Sequence, residues 1–211
     1  MNMIWLLTLL YKNWADLFVE QRRRRSISLL DALRQAQRKV LQGALWYTWD
    51  HTAKVERLAS YVAQSTAYEH GEDNLSSVIV RMAQTFAPRD NLALLVPDGE
   101  FGSQKRNGED CDQPRYISSG VSDTAKHIFL QDDTRLLKMH NCFNSEEGQL
   151  TEPSFFLPIV PMFLINGNTT FGLGTNVKIP PHPAYETMQF TLRWVERVQE
   201  ENLHCFDTGS A

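Results

Sequence analysis

The chain has 211 residues, of which 42% are hydrophobic, so it is long enough to bury a core in one or two domains. Its formal net charge is −4, from 21 basic and 25 acidic residues, which excludes a protein whose whole surface binds phosphate. Any binding of nucleic acid must therefore be local. The cysteines indicate neither a disulfide framework nor a zinc site, because Cys111, Cys142 and Cys205 lie far apart without Cys-x-x-Cys spacing.

Residues 1–24 are predicted to be an N-terminal extension. Their apolar start, residues 1–10, lacks a basic region and a cleavage site and is too short to cross a bilayer as a helix, so no membrane association is expected. Four arginines, Arg22 to Arg25, mark the end of the extension. This run is consistent with a solvated charge cluster, a sorting signal or a phosphate contact.

Three amphipathic helices are predicted in the next part of the chain. Ser28 would cap the first, whose polar face would be basic and would carry Arg34, Arg38, Lys39 and Gln42. The second is expected over about 52–66, and the third from Glu72 to Phe86. The turn at His70-Gly71 between them gives the layout of a helix-turn-helix.

Two apolar runs follow, Leu92–Val96 and Tyr116–Ile117, separated by a loop rich in Gly, Asp, Asn and Glu. This pattern predicts a hairpin-like wing. A winged helix-turn-helix places a helix in the major groove of DNA while the wing follows the backbone. Together with a helix expected over Ser122–Phe129, these elements predict a winged-helix domain over residues 25–130.

The last part of the chain, residues 131–211, is predicted to begin a mixed α/β subdomain. Its strands are expected in Pro153–Ile165, a stretch dense in Phe, Ile, Leu and Pro. A closing helix is expected over Tyr185–Asn202, where apolar residues recur at helical spacing. The predicted fold is therefore of the mixed α/β (α+β) class.

The tripeptide Pro114-Arg115-Tyr116 at the end of the wing loop is a candidate catalytic group. A tyrosine can attack a phosphate if a cation stabilises the phenolate, and a guanidinium also holds the free phosphate oxygens in a bidentate fork. The alternative is an Arg-Tyr pair alternating on a half-exposed strand. His70, taken alone beside Gly71, is interpreted as a turn residue.

Several motifs in this order resemble the breakage-and-reunion region of eukaryotic and viral type IIA DNA topoisomerases. The resemblance extends from about Arg25 to about Glu201. Its most specific motifs are Gln37-Arg38-Lys39-Val40-Leu41, His70-Gly71-Glu72 and Pro114-Arg115-Tyr116, and it also includes Gly99-Glu100-Phe101-Gly102 and Phe163-Leu164-Ile165-Asn166-Gly167.

The resemblance implies a role for each matching residue. Tyr116 would form a 5′-phosphotyrosine link with DNA, Arg115 would stabilise the transition state, and His70 would act as donor or proton relay. The implied contacts to duplex DNA are Arg25, Arg38, Lys39 and Lys54. Leu173 matches an apolar wedge between base steps, with an ordinary core leucine as the alternative.

The resemblance also implies Mg²⁺ and ATP as cofactors, a homodimer and a nuclear location for full-length members. No ATP-binding motif and no carboxylate cluster for a metal is recognised in this chain, so alone it is expected neither to relax DNA nor to hydrolyse ATP. The family's Gly-Leu-Lys-Pro-Gly-Gln stands here as Ala32–Gln37, and Glu69 adds an anion beside His70. The sequence is thus interpreted as a fragment or divergent member. The alternatives are a non-catalytic DNA-binding remnant and a subunit that depends on a partner chain.

Overall fold

The computed structural model describes residues 27–86, 91–146, 148–172 and 175–207, so the predicted extension over residues 1–24 lies outside the described residues. The helices are α1 (Gln35–Tyr47), α2 (Val55–Ser65), α3 (Glu72–Ala83), α4 (Asp123–Ile128), α5 (Gln131–Met139), α6 (Met162–Ile165) and α7 (Ala184–Asp207). The strands are β1 (Ala53–Lys54), β2 (Leu95–Asp98), β3 (Ser118–Val121), β4 (Phe143–Glu146), β5 (Gln149–Pro153), β6 (Asn168–Gly172) and β7 (Thr175–Ile179).

Helices α1, α2 and α3 pack against one another and form the main core. Each contributes fully buried aliphatic side chains, because its apolar residues recur at helical spacing. Those side chains include Val40, Leu41, Leu58, Val62, Leu75 and Ile79. Helices α1 and α2 approach closely at Gly43, where a Cβ atom would lie 2.6 Å from Val62 Cγ2. The predicted second and third helices are confirmed, each to within three residues.

Helix α1 begins later than the sequence predicts. Ser28 starts a separate turn instead of capping the helix, since its Oγ accepts from Leu30 N at 3.1 Å and its carbonyl accepts from Ala32 N at 2.8 Å. The carboxylate of Asp31 then accepts from Leu33 N at 2.9 Å and from Phe156 N at 2.9 Å. The bond to Phe156 links residues 125 apart in the chain, so no local pattern reveals it.

The wing strands form a three-stranded antiparallel sheet in the order β1-β3-β2. Lys54 pairs with Ser118, and Leu95 pairs with Val121. The predicted hairpin of two apolar runs is thus present, with its strands beginning a few residues later than predicted. Tyr116 consequently lies in the turn before β3 and not in the strand.

Gly120 in the middle strand allows β1 to approach, and we predict that Gly120→Ala destabilises the fold. Its Cβ would lie 2.6 Å from the carbonyl oxygen of His51, a backbone atom that cannot rotate away. Strand propensity alone predicts a small gain, but the clash should outweigh it and lower the free energy of unfolding by about 1–3 kcal/mol.

Urea denaturation would measure this loss. Ser118→Ala, two residues earlier in the same strand, is the control and should stay within about 0.5 kcal/mol of the wild type. An unchanged or raised stability of Gly120→Ala would show that β1 does not sit against β3 as described.

The rest of the chain is built from two hairpins and four helices among the described residues. Helix α4 starts at the predicted place, because Ser122 Oγ accepts from Ala125 N at 3.0 Å. The strands predicted within Pro153–Ile165 are wrong: Pro153 ends β5, and Met162–Ile165 is the single turn α6. Pro158 and Pro161 lack an N–H and interrupt strand pairing between these two elements.

Two asparagines connect this second part to the sheet. Asn166 bonds the backbone of Leu92 twice, accepting from its N–H at 2.9 Å and donating to its carbonyl at 3.1 Å. Asn91 Nδ2 donates to the carbonyls of Ile165 at 2.8 Å and His182 at 2.9 Å. The residues that precede β2 are therefore fixed to α6 and to the segment that leads into α7.

The mixed α+β class predicted from the sequence is confirmed by this combination of helices and small antiparallel sheets. Helix α7 contains the predicted closing helix, Tyr185–Asn202. Within the described ranges, no helix combines the length and the apolar character that a membrane span requires.

Candidate nucleic-acid site

The segment that carries Tyr116 is held against the first turn of α2, the first helix of the helix-turn-helix. The amide of Val55 donates to the carbonyl of Ile117 at 3.1 Å, and the amide of Glu56 donates to the carbonyl of Pro114 at 3.3 Å. Lys54 Nζ donates to the carbonyl of Tyr116 at 2.7 Å. The two amides are at the start of a helix, where backbone N–H groups have no partner within the helix itself.

The Tyr116 side chain is 61% exposed, in contrast to the neighbouring Ile117, which is buried at 1% exposure. The guanidinium carbon of Arg115 lies 4.8 Å from the centre of the Tyr116 ring, which is a cation–π contact. Arg115 is also exposed. The buried Ile117 anchors the segment while the phenol and the guanidinium face solvent together, where a phosphate can reach both.

The loop between β2 and Tyr116 has a defined conformation. Asp110 Oδ1 accepts from Ser103 N at 2.7 Å and Oδ2 accepts from Ser103 Oγ at 2.6 Å, which closes the loop on itself. Gln84, at the end of α3, donates through Nε2 to the carbonyl of Phe101 at 2.9 Å. The loop presents Lys105 and Arg106 as exposed cations.

Removal of the Asp110 carboxylate should loosen this loop. The hydrogen bonds from Ser103 hold the pKa of Asp110 below its usual value of 3.8. A carboxylate with a lowered pKa contributes its stabilisation above the unfolded pKa and loses it as the pH falls through the folded pKa. We therefore expect protection of the Ser103 amide against exchange to fall several-fold in Asp110→Ala, and also in the wild type as the pH falls below 3.8.

Hydrogen exchange followed by NMR measures this effect residue by residue. Asp112→Ala is the matched control, because the backbone amide of Asp112 bonds Glu100 at 3.0 Å and the substitution keeps that amide. Equal exchange rates in both variants would contradict the assigned role of Asp110.

His70 lies in the turn between α2 and α3 and is exposed. Its ring meets the Tyr68 ring edge-on, with centroids 5.5 Å apart. Gly71 follows with a φ of +83° and is the N-cap of α3. His70 therefore follows the last turn of α2, whereas the Tyr116 segment is bonded to its first turn, and α2 is about 16 Å long.

The predicted basic face of α1 is wrong: Arg34 is exposed, whereas Arg38, Lys39 and Gln42 are buried. The hairpin β4–β5 packs against the side of α1 that was predicted to face solvent. Lys39 Nζ lies 3.0 Å from Glu146 Oε1 and 3.1 Å from Glu152 Oε2, and it donates to the carbonyl of Thr66.

Arg38 is likewise bound internally. Its Nε lies 3.2 Å from Asp31 Oδ2, and its two terminal nitrogens donate to the carbonyls of Ser154 and Leu33 at 2.7 and 3.0 Å. Burial raises the pKa of Asp31, and the Arg38 guanidinium and the backbone N–H bonds oppose that rise. Sequence analysis missed these acidic partners, because Glu146 and Glu152 lie in a later hairpin and Asp31 lies in the turn before α1 and belongs to no motif.

Two predicted DNA contacts, Arg25 and Leu173, lie outside the described residues. No group of three His, Cys, Asp or Glu side chains suited to a metal ion occurs within the described part of the chain. Near Tyr116, both oxygens of Asp110 are occupied by Ser103. The carboxylates Glu109, Asp110 and Asp112 of the described loop are accordingly not gathered into such a group.

Comparison with known proteins supports the sequence resemblance. Residues 25–208 match the family model that describes the A subunit of DNA gyrase/topoisomerase IV. The chain is 39% identical over 153 residues to the mitochondrial DNA topoisomerase 2 of Dictyostelium discoideum. The matched residues make up 72% of this chain and 12% of that protein. The chain is also 39% identical over 181 residues to mouse DNA topoisomerase 2-beta, covering 85% of the chain and 11% of that protein.

A solved structure agrees with these relatives. The DNA-binding, cleavage and re-ligation domain of Plasmodium falciparum topoisomerase II superposes with a TM-score of 0.77 at 33% identity, covering 83% of this chain and 23% of that one. This chain, with its exposed Arg-Tyr pair beside α2, therefore falls in the class of the type IIA DNA topoisomerases. The chain belongs to the DNA gyrase/topoisomerase IV A-subunit family, and it spans about an eighth of the curated relatives it matches.

Proposed function

We propose that this chain cleaves and rejoins duplex DNA through Tyr116, as part of a type IIA topoisomerase activity that changes DNA topology. The observation that carries the proposal is the exposed phenol of Tyr116 under Arg115, on a segment bonded to the first turn of α2. Such a pair offers a nucleophile and a cation on one surface, which phosphoryl transfer requires.

In the proposed step, Tyr116 Oη attacks a backbone phosphorus and gives up its proton. The new O–P bond makes a 5′-phosphotyrosine, and the P–O3′ bond breaks to leave a 3′-hydroxyl that takes up a proton. Attack by that hydroxyl on the phosphotyrosine reverses the step. Arg115 would bind the phosphate oxygens, whose negative charge grows in the transition state.

The other predicted site residues are given supporting roles in this proposal: His70 is a donor to a DNA phosphate near the other end of α2, and Arg25 and Leu173 contact DNA. The exposed Lys105 and Arg106 add positive charge in the loop that leads to Tyr116. Arg38 and Lys39 are proposed to shape the DNA-binding surface through their buried ion pairs instead of as free cations.

The proposed organisation follows the sequence prediction, with a winged-helix domain over residues 25–130 and the beginning of a mixed α/β subdomain over 131–211, which by the family resemblance is called the tower. A homodimer is proposed because cutting both strands of a duplex requires two nucleophiles and each chain supplies one Tyr116. Mg²⁺ and ATP are proposed to bind regions of the full-length family other than the matched one. A nuclear location is proposed from the resemblance, and relatives named mitochondrial make the mitochondrion the alternative.

Trapping of a covalent protein–DNA adduct tests the proposal. Duplex DNA, Mg²⁺ and the chain are mixed with and without a metal-binding topoisomerase domain supplied in trans, and denaturant then traps any adduct. An adduct that depends on the added domain supports the proposal. Binding of DNA without adduct in both mixtures would instead establish the second candidate, a non-catalytic DNA-binding protein.

A further inference from the structure

Three consecutive residues at the start of α2, Lys54 to Glu56, hold the backbone on both sides of the Tyr116 side chain. The amides of Val55 and Glu56 bind the carbonyls of Ile117 and Pro114. Between those two carbonyls lies the carbonyl of Tyr116 itself, and its partner is the side chain of Lys54 at 2.7 Å. Of the three residues, Lys54 alone uses its side chain for this contact.

Strand pairing fixes the position from which Lys54 reaches this carbonyl. Lys54 is the last residue of β1 and pairs with Ser118, two residues beyond Tyr116. It is also the N-cap of α2, with extended backbone at φ −54° and ψ 135°. Strand pairing therefore holds the Lys54 Cα close to the Tyr116 carbonyl, within reach of the lysine side chain.

We propose that Lys54 is a positioning residue for Tyr116, one that fixes the direction of the nucleophile through the hydrogen bond to the Tyr116 carbonyl. This inference rests on the proposed function of Tyr116. It replaces the DNA contact that the sequence resemblance assigns to Lys54. The amides of Val55 and Glu56 fix the carbonyls of Ile117 and Pro114, and the Tyr116 amide closes the turn by donating to the carbonyl of Gln113 at 2.8 Å. The Lys54 bond holds the Tyr116 carbonyl in that turn, so its loss loosens both the turn and the direction of the phenol.

The consequence is a separation between binding and chemistry. A phosphate contact contributes to affinity and to its salt dependence, with a log–log slope of about 0.9 per contact. A positioning bond contributes to the rate of attack, and a misplacement of about 1 Å can cost about 100-fold. Lys54 should therefore change the rate of adduct formation at saturating DNA and leave the salt slope unchanged.

The test compares Lys54→Met and Lys54→Arg with the wild type, and uses Lys138→Met, an exposed lysine on α5, as the control. For Lys54→Met we expect adduct formation about 10- to 100-fold slower at saturating DNA, an unchanged salt slope, and faster exchange of the Tyr116 amide. Lys54→Arg should restore most of the rate, because a guanidinium can donate to the same carbonyl. Lys138→Met should match the wild type in all three measurements.

An unchanged Tyr116 exchange rate in Lys54→Met would overturn the inference, and so would a salt slope reduced by about 0.9 with an unchanged rate. If the wild type forms no adduct even with the metal-binding domain, the proposed function fails. The exchange measurement then still decides whether Lys54 orders the Tyr116 segment, since it requires no chemistry on DNA.

Discussion

Tyr116→Phe is expected to abolish covalent attachment of the chain to DNA while it leaves non-covalent affinity within a few-fold of the wild type. The substitution removes only the phenol oxygen that would attack the phosphate. The ring remains, so the contact with Arg115 at 4.8 Å and the backbone bonds to α2 should persist. Loss of a nucleophile typically costs at least about 10³-fold in rate, which places the adduct below detection.

The measurement is adduct yield after denaturant trapping, paired with a binding titration on the same duplex. Tyr185→Phe is the matched control, because Tyr185 is also an exposed tyrosine, at 74%, and lies on α7 away from the site. It should retain full adduct yield. Adduct formation by Tyr116→Phe would show that another residue is the nucleophile, and adduct loss in Tyr185→Phe would move the assignment to α7.

The largest effect on stability is expected from Lys39→Met. This change leaves Glu152, which is fully buried, without the cation that lies 3.1 Å from its Oε2. Removal of one partner of a buried ion pair typically costs about 3–5 kcal/mol, because the other charge stays desolvated. We therefore expect a loss of that size in the free energy of unfolding.

A double variant tests the cause. Glu152→Gln combined with Lys39→Met removes both charges and keeps an amide oxygen for Asn144, which donates to Glu152 Oε1 at 2.9 Å. Part of the lost stability should return in urea denaturation. Arg135→Met is the control, since its pair with Asp132 is exposed and should contribute less than about 1 kcal/mol. Strictly additive losses in the double variant would argue against a coupled pair.

The sequence predicts best what local periodicity determines. The spacing of Leu58 and Val62, and of Leu75 and Ile79, marks α2 and α3 and places the glycine turn between them. Ser122 and α4 follow from capping chemistry. Tyr116 was predictable as a candidate because it belongs to a specific tripeptide, although its place in a turn before β3 depends on pairing with β1.

The errors have a common physical origin, which is contact between distant parts of the chain. Arg38 and Lys39 form a polar stripe on an isolated α1, and such a stripe is typical of a solvent-exposed face. The hairpin β4–β5 and its flanks, more than 100 residues later, complete the set of partners that buries these cations, beside Asp31, Leu33 and Thr66. The same holds for Asp31, whose carboxylate accepts from the amide of Phe156, 125 residues later in the chain.

The role of Lys54 could not be inferred from sequence for a similar reason. A lysine next to a helix that binds DNA is usually interpreted as a phosphate contact. The bond from Lys54 to the Tyr116 carbonyl depends instead on the register of β1 with β3. Its side chain bonds across 62 residues of sequence.

The paired asparagines Asn91 and Asn166 give the molecule a path for mechanical force. A pull along α7 acts first on His182, whose carbonyl is bonded to Asn91 and whose amide donates to Leu164 at 2.9 Å. Through Asn166 and Leu92 the load then passes into β2, and through the β2–β3 ladder to the residues that follow Tyr116. Tension applied to the long helix would thus reach the backbone that follows Tyr116 through a continuous series of hydrogen bonds.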